Sequence, residues 1–322
     1  MDPKKSTKTG PQEDDFQILD SCEDTMVPNS PVLAATKSTG TSPVDESPEQ
    51  TVNMDALEKG QAASISPLTS ISRVRRHFRD DIRTEWTDML LILCWFTTGF
   101  LDSTIFNAYG TFVSMQTGNT VLIGLGASNS HSSKHPYRWA KSLTSLVFYL
   151  TGCLFFSKCS RVLGPQRRST LAISFLFQAV IIVVSAAVVQ DGVVEGRLDY
   201  ITNDINWLQE IPIALLSFQA PGQVCGSRQL GFFETPTVVV TTMIYDFASD
   251  PDLFVGLRKN PVRNRRFMGF IAMLLGAVAG GWVTVSMGQI HVTLWVAAAI
   301  KLSIALAWVV WPRKEQTGEW GS

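Results

Sequence analysis

TLAISFLFQAVIIVVSAAVV, residues 170–189, carries no formal charge. At about 1.5 Å of rise per residue it is long enough to cross a hydrocarbon layer of about 30 Å as a helix. FMGFIAMLLGAVAGGWVTVSMG (267–288) reads the same way, and VTLWVAAAIKLSIALAWVVW (292–311) carries a single charge, Lys301. Several such runs in one chain of 322 residues specify an all-α polytopic membrane protein. A backbone in lipid must satisfy its own polar groups, and helices do so within one segment.

The mean hydropathy of +0.13 averages two unlike parts. Residues 1–70 are rich in Ser, Thr, Pro, Lys, Asp and Glu and cannot bury enough apolar surface to offset the entropy of ordering. They are expected to form a disordered cytoplasmic tail, with no cleavable export sequence because the apolar core of a secretory signal is lacking. A basic juxtamembrane segment (71–87), a transmembrane domain (88–312) and a short second tail (313–322) follow. The cysteines, Cys22, Cys94, Cys153, Cys159 and Cys225, are scattered without CxxC spacing. Neither a disulfide framework nor a metal site is indicated.

Charge orients the spans. ISRVRRHFRDDIR (71–83) holds five arginines, Arg73, Arg75, Arg76, Arg79 and Arg83. Basic segments favour the cytoplasmic side, so the N-terminus is expected there. The same holds for SKCSRVLGPQRRS (157–169), GLRKNPVRNRR (256–266) and the C-terminal PRK (312–314), whereas the acidic segment 190–210 fits the opposite side. An even number of crossings must then separate the first two basic segments, yet three apolar pieces lie between them (88–109, 112–127 and 139–156). The simplest resolution makes the second piece partial or re-entrant. The same reasoning applies to 207–226 and 236–248, giving six net crossings, with eight as the alternative. Trp86, Trp139, Trp207 and Trp311 fall at the expected interfaces. The arginines of 71–83 are also suited to contact anionic lipid headgroups.

The two halves echo each other, about 88–190 and 207–312. GPQRRSTL (164–171) returns one residue shorter as GQIHVTL (288–294). GFLDSTIF (99–106) matches SFQAPGQV (217–224) in position, and QTGNTVLIG (116–124) matches VVVTTMIYD (238–246). With about three net crossings each, the halves enter from opposite sides. Inverted repeats of this kind occur in secondary transporters, whose interrupted helices meet near the bilayer midplane. Interruptions are expected at Thr117–Thr120, at Ala220–Gly222 and at Glu234–Thr237.

A helix starting near Thr117 leaves backbone N–H groups for Thr117 or Asn119 to cap, and Gly118 permits close approach. Its dipole suits an anion, so Thr117, Gly118, Asn119 and Thr120 are candidate substrate-binding residues. Close helix packing is the alternative reading. Asp102, inside an apolar span, is functional by default or else a cap for the break that follows, and Lys301 is its candidate charge partner. Gln178 and Gln219 are read as interhelical hydrogen-bonding amides. No HExxH, GxSxG, phosphate-binding loop or carboxylate pair occurs, so no catalysis and no cofactor are expected.

GFLDSTIFNAYGTFVSMQTGNTVLIGLG (99–126) resembles the signature of the YoaK-like membrane proteins, a family of unknown function with bacterial and fungal members. Gly99 to Asp102 match its first element and Thr117 to Val121 its second, with Gln116 inserted after the methionine. The resemblance spans about residues 86–312 and implies the membrane fold and the repeat. In the second half, Ala220-Pro221 and Val239 to Thr241 depart from the family pattern. The expected function is secondary transport of a small polar or anionic solute, with the lipid bilayer as surroundings and no nucleic-acid partner. A non-transporting scaffold or regulatory protein acting through the 1–70 tail is the alternative.

Overall fold

The structure, a computed structural model, describes residues 77, 78, 80–84, 86–128, 137–196, 206–232 and 240–314. Contacts divide the chain after Ala63, and every described residue belongs to the second unit, Ser64–Ser322. The 1–70 tail, Arg73, Arg75, Arg76, Arg79 and the expected interruption at 234–237 lie outside the described residues.

Among the described residues the helices are α1 (Asp88–Tyr109), α2 (Gln116–Ala127), α3 (Arg138–Leu163), α4 (Arg168–Gln190), α5 (Glu210–Gln229), α6 (Val240–Ala248), α7 (Pro261–Met287) and α8 (His291–Val310). Five of them, α1, α3, α4, α7 and α8, are long and apolar enough to cross a membrane. The outside is apolar, with Leu154, Val278, Trp282 and Val285 exposed, while Asp102, Asn119, Gln178, Gln223 and Lys301 are buried. That distribution suits a protein whose solvent is hydrocarbon.

Contacts at the helix ends set their directions. Residues 80–83 lie against the start of α4 and the end of α8. Arg168 donates to the carbonyls of His77 (2.7 Å) and Trp311 (2.6 Å), and Ile82 N–H to that of Gln166 (3.3 Å). Arg265 of α7 shares a crevice with Asp88 and Leu91 of α1. The four basic segments therefore gather at one end of the bundle. The other end holds the segment after α4, where Ile290 N–H donates to the Gly196 carbonyl and the Tyr109 hydroxyl to that of Glu195. Lys141 of α3 bonds Gln209 at this same end. The six long helices thus alternate in direction. Trp86 and Trp311 lie at the basic end, Trp139 and Trp207 at the other.

The packing pairs α1 with α7, α3 with α5, α4 with α8, α4 with α5, and α8 with α1. The short helices α2 and α6 lie on α3 and α7. Two expectations are corrected here. Thr117–Thr120 do not interrupt a helix but lie inside α2, and the non-helical stretch is 110–115. The chain does not break at Ala220–Gly222, because α5 runs unbroken through Pro221. Its ring packs beside Gly152 of α3, where a side chain would collide with the Phe218 carbonyl.

The α1–α7 crossing is close because small residues line it. A Cβ on Gly276 would strike the Phe96 carbonyl, and one on Gly280 the Phe100 carbonyl. Overfilling such a contact costs about 1–3 kcal/mol. Gly276→Leu is therefore expected to lower the thermal midpoint of the detergent-solubilised protein. Gly124→Ala, where a Cβ meets nothing within 4 Å, should leave it unchanged or raise it slightly. Equal midpoints for the two variants would refute the close crossing.

Candidate functional site

α1 ends at Gly110 in the left-handed region (φ 74), which a glycine adopts without a steric penalty. The chain then turns back along its own helix. Val113 and Ser114 donate their N–H groups to Asp102 Oδ1, at 2.8 and 2.9 Å, and the Ser114 hydroxyl donates to Oδ2. Asp102 is buried, and both of its oxygens are engaged by this linker.

Asn119 closes the linker from the other side. Its Oδ1 accepts from Phe112 N–H (3.0 Å) and the Thr111 hydroxyl (2.9 Å). Its Nδ2 donates to the Phe112 carbonyl (2.8 Å) and to Ser145 Oγ (2.9 Å) on α3. The expected cap on α2 is thus corrected. α2 starts at Gln116 without a side-chain cap, and Asn119 caps the linker before it. Gly118 lies under the Phe112 ring, which leaves no room for a Cβ. Thr117 and Thr120 are exposed, and the Thr120 hydroxyl donates to the Gln116 carbonyl (2.9 Å). Of the residues singled out on 102–120, the fold brings Asp102, Gly118 and Asn119 to the linker and leaves Thr117 and Thr120 on the surface.

Lys301 does not pair with Asp102. It projects from α8 towards α4 and α5, and its Nζ donates to Gln178 Oε1 (2.8 Å) and Gln223 Oε1 (2.7 Å). The Nζ also stands 5.2 Å from the centroid of the Phe175 ring. Among the described residues no carboxylate meets this buried ammonium. Gln223 in turn donates to the Thr98 hydroxyl on α1. Gly222 makes room for Gln178, since a Cβ there would lie 2.6 Å from its Nε2.

Between these groups lies a cavity of about 10 Å³, lined by Thr97, Thr98, Ser114, Gln219 and Gln223 among others. That is room for about one water. Gln219 is buried, and its Oε1 has no hydrogen-bond partner among the described residues. A polar path therefore runs from Asp102 through Ser114 and the cavity to Gln223, Lys301 and Gln178, joining α1, α5, α8 and α4. Gln178 is the interhelical amide it was expected to be. Thr98, Ser114 and Gln223 were not foreseen. The signal for Gln223 was its spacing of four from Gln219, which puts both amides on one face of a helix.

Removing the carboxylate should expose the linker. Asp102→Ala strands two buried N–H groups, at about 1–3 kcal/mol each. A clear fall in thermal midpoint and faster amide exchange at 111–115 are expected. Thr117→Ala and Thr120→Ala, at exposed positions, should stay within about 0.5 kcal/mol of wild type. Unchanged exchange in Asp102→Ala would remove the capping role.

No curated protein and no solved structure matches the chain. A family comparison does match, over residues 90–307, the span that runs from most of α1 through most of α8 and contains every group of the polar centre. On that match the chain, a multi-pass helical membrane protein by its fold, belongs to the DUF1275 family of proteins of unknown function.

Proposed function

We propose that this protein is a secondary transporter of a small polar or anionic solute, with the buried polar centre as its site. The observation that carries the reading is Lys301, a buried ammonium held by two amide oxygens and by no carboxylate among the described residues. An ionisable group inside a membrane domain is costly and is retained where it meets a substrate, an ion or water. In the adjoining cavity the unpartnered Gln219 oxygen is open to a hydrogen-bond donor on the solute. A solute with a negative charge would satisfy Lys301, while Gln219, Gln223 and Thr98 would orient its polar atoms.

The architecture supports the same reading. Helix lengths run 22, 12, 26 and 23 residues over α1–α4, and 20, 9, 27 and 20 over α5–α8. Exchanging the first four helices for the last four maps the packing pairs onto one another, α1–α7 onto α5–α3 and α8–α1 onto α4–α5. α1 and α5 run in opposite directions, as halves of inverted topology require. In this reading α2 and α6 are re-entrant half-helices and the net crossings are six. The basic end, with both ends of the membrane domain, faces the cytoplasm. Asp102 and Asn119 hold the wall of the site, and Thr117, Gly118 and Thr120 belong to the half-helix that moves with it. The present cavity admits only about a water, so loading requires one half to rock against the other.

Flux into proteoliposomes tests this. A panel of labelled acetate, phosphate, sulfate and small amino acids should include a solute taken up faster than by protein-free liposomes. Lys301→Gln should reduce that uptake at least about tenfold, the equivalent of about 1.4 kcal/mol. Lys158→Gln, at the basic end, should not. Wild-type uptake by Lys301→Gln would overturn the site, and no uptake across the panel would overturn the transport reading.

A further inference from the structure

A second, larger opening lies between α3 and α5, away from the polar centre. It measures about 500 Å³ and is lined at its inner part by Leu154, Pro221 and Val224 and towards the basic end by Arg161 and Arg228. Cys225 stands between the two parts. No Asp or Glu lines it, and among the described residues neither guanidinium takes part in an ion pair.

Its position decides what reaches it. α3 is the least covered of the candidate spans, with only 17 % of its most apolar window buried, and Leu154 is 75 % exposed. The apolar part of the crevice therefore opens sideways to the acyl chains. The arginines come one to two turns later on each helix. Arg161 lies two residues before the end of α3, and Arg228 one residue before the end of α5. They stand at the level where headgroups begin. Two planar donors above an apolar slot match a phosphodiester carried on a hydrocarbon chain, because guanidinium recognises phosphate in bidentate fashion. The slot lies within the usual size range of small-molecule sites.

We propose that this crevice binds one anionic phospholipid from the leaflet at the basic end. The headgroup phosphate engages Arg161 and Arg228, and one acyl chain lies along Leu154, Pro221 and Val224. The occupant comes from the membrane and not from water, because a free anion would leave the apolar part of the slot empty.

The full-length protein, exchanged into micelles containing phosphatidylglycerol or phosphatidylcholine, is examined by native mass spectrometry. Wild type should retain a phosphatidylglycerol adduct in preference to phosphatidylcholine. Arg161→Gln with Arg228→Gln should bind it about thirty-fold more weakly, which corresponds to about 1 kcal/mol per charge. Arg167→Gln, outside the crevice, should bind as wild type. Cys225→Trp, which fills the slot and keeps both arginines, should lose the adduct as well, and thermal midpoints near wild type show that the variants are folded. Equal retention of the two lipids, or full retention in both the double variant and Cys225→Trp, overturns the proposal. So does displacement of phosphatidylglycerol by inorganic phosphate, since that marks a free-anion site.

Discussion

A carboxylate inside an apolar bundle allows non-helical backbone to stand there. Residues 110–115 leave the helical pattern beside α1, and in hydrocarbon each unpaired backbone group costs several kcal/mol. Asp102 removes that cost by accepting from Val113 and Ser114, and Asn119 removes it at Phe112 from both sides of the peptide. Leaving such buried N–H groups unpaired would cost about 1–3 kcal/mol each, enough to hold the turn. The rest of the local geometry follows. Phe112 folds onto Phe106 with ring centroids 4.5 Å apart, Gly118 accepts the Phe112 ring, and α2 can start where it does. Asp102 is thus committed to the linker before α2, at Val113 and Ser114.

The interior sorts its polar groups into those that are locally satisfied and those that reach across. Thr97, Thr98 and Thr104 turn their hydroxyls to the carbonyls of Leu93, Cys94 and Phe100 on their own helix. Such bonds use the hydroxyl protons locally, while the oxygens of Thr98 and Thr104 meet Gln223 and Thr284 across helices. Long amides and lysine reach further: Gln178 Nε2 donates to Ser174 Oγ on its own helix (3.3 Å), while its Oε1 accepts from Lys301 on α8. Gln178, Gln223 and Lys301 must therefore find one another across α4, α5 and α8, and their bonds fix the relative rotation of those helices. Backbones elsewhere approach through Gly276 and Gly280, where shape and not polarity sets the contact.

Much of this was legible in the chain. Uncharged runs and the placement of arginines gave the membrane class and the sharing of one end by four basic segments, because burial and charge act on composition directly. A break beyond Asp102 was legible, but the small polar residues Thr117–Thr120 that marked it lie inside α2, and the chain leaves the helix at 110–115 instead. Pro221 misled for a reason of magnitude. A proline inside a helix costs about 3 kcal/mol, whereas ending a helix in hydrocarbon strands several backbone groups at comparable cost each. The cheaper outcome is a continuous α5 with Gly152 giving way to the ring. The partner of Lys301 was not legible, since sequence spacing shows which face of one helix a residue takes but not which helix stands opposite. Asp102 and Lys301, read as a candidate pair, are held by different groups, the linker amides and two glutamine oxygens.

The Gln178–Lys301 bond bears on the proposed repeat in one more way. The two residues are 123 positions apart, the same separation as Thr170 and Thr293 in the segments that echo each other. In a repeat of inverted topology they are equivalent positions meeting across the pseudo-twofold axis between α4 and α8. Two lysines there would set like charges against each other in a low dielectric, which no neighbouring amide offsets. Two glutamines would satisfy each other and leave nothing for a solute. One of each gives a single charge, held by the neutral oxygens of Gln178 and Gln223. At this one pair the proposed repeat departs from symmetry, with a lysine on α8 where α4 has a glutamine.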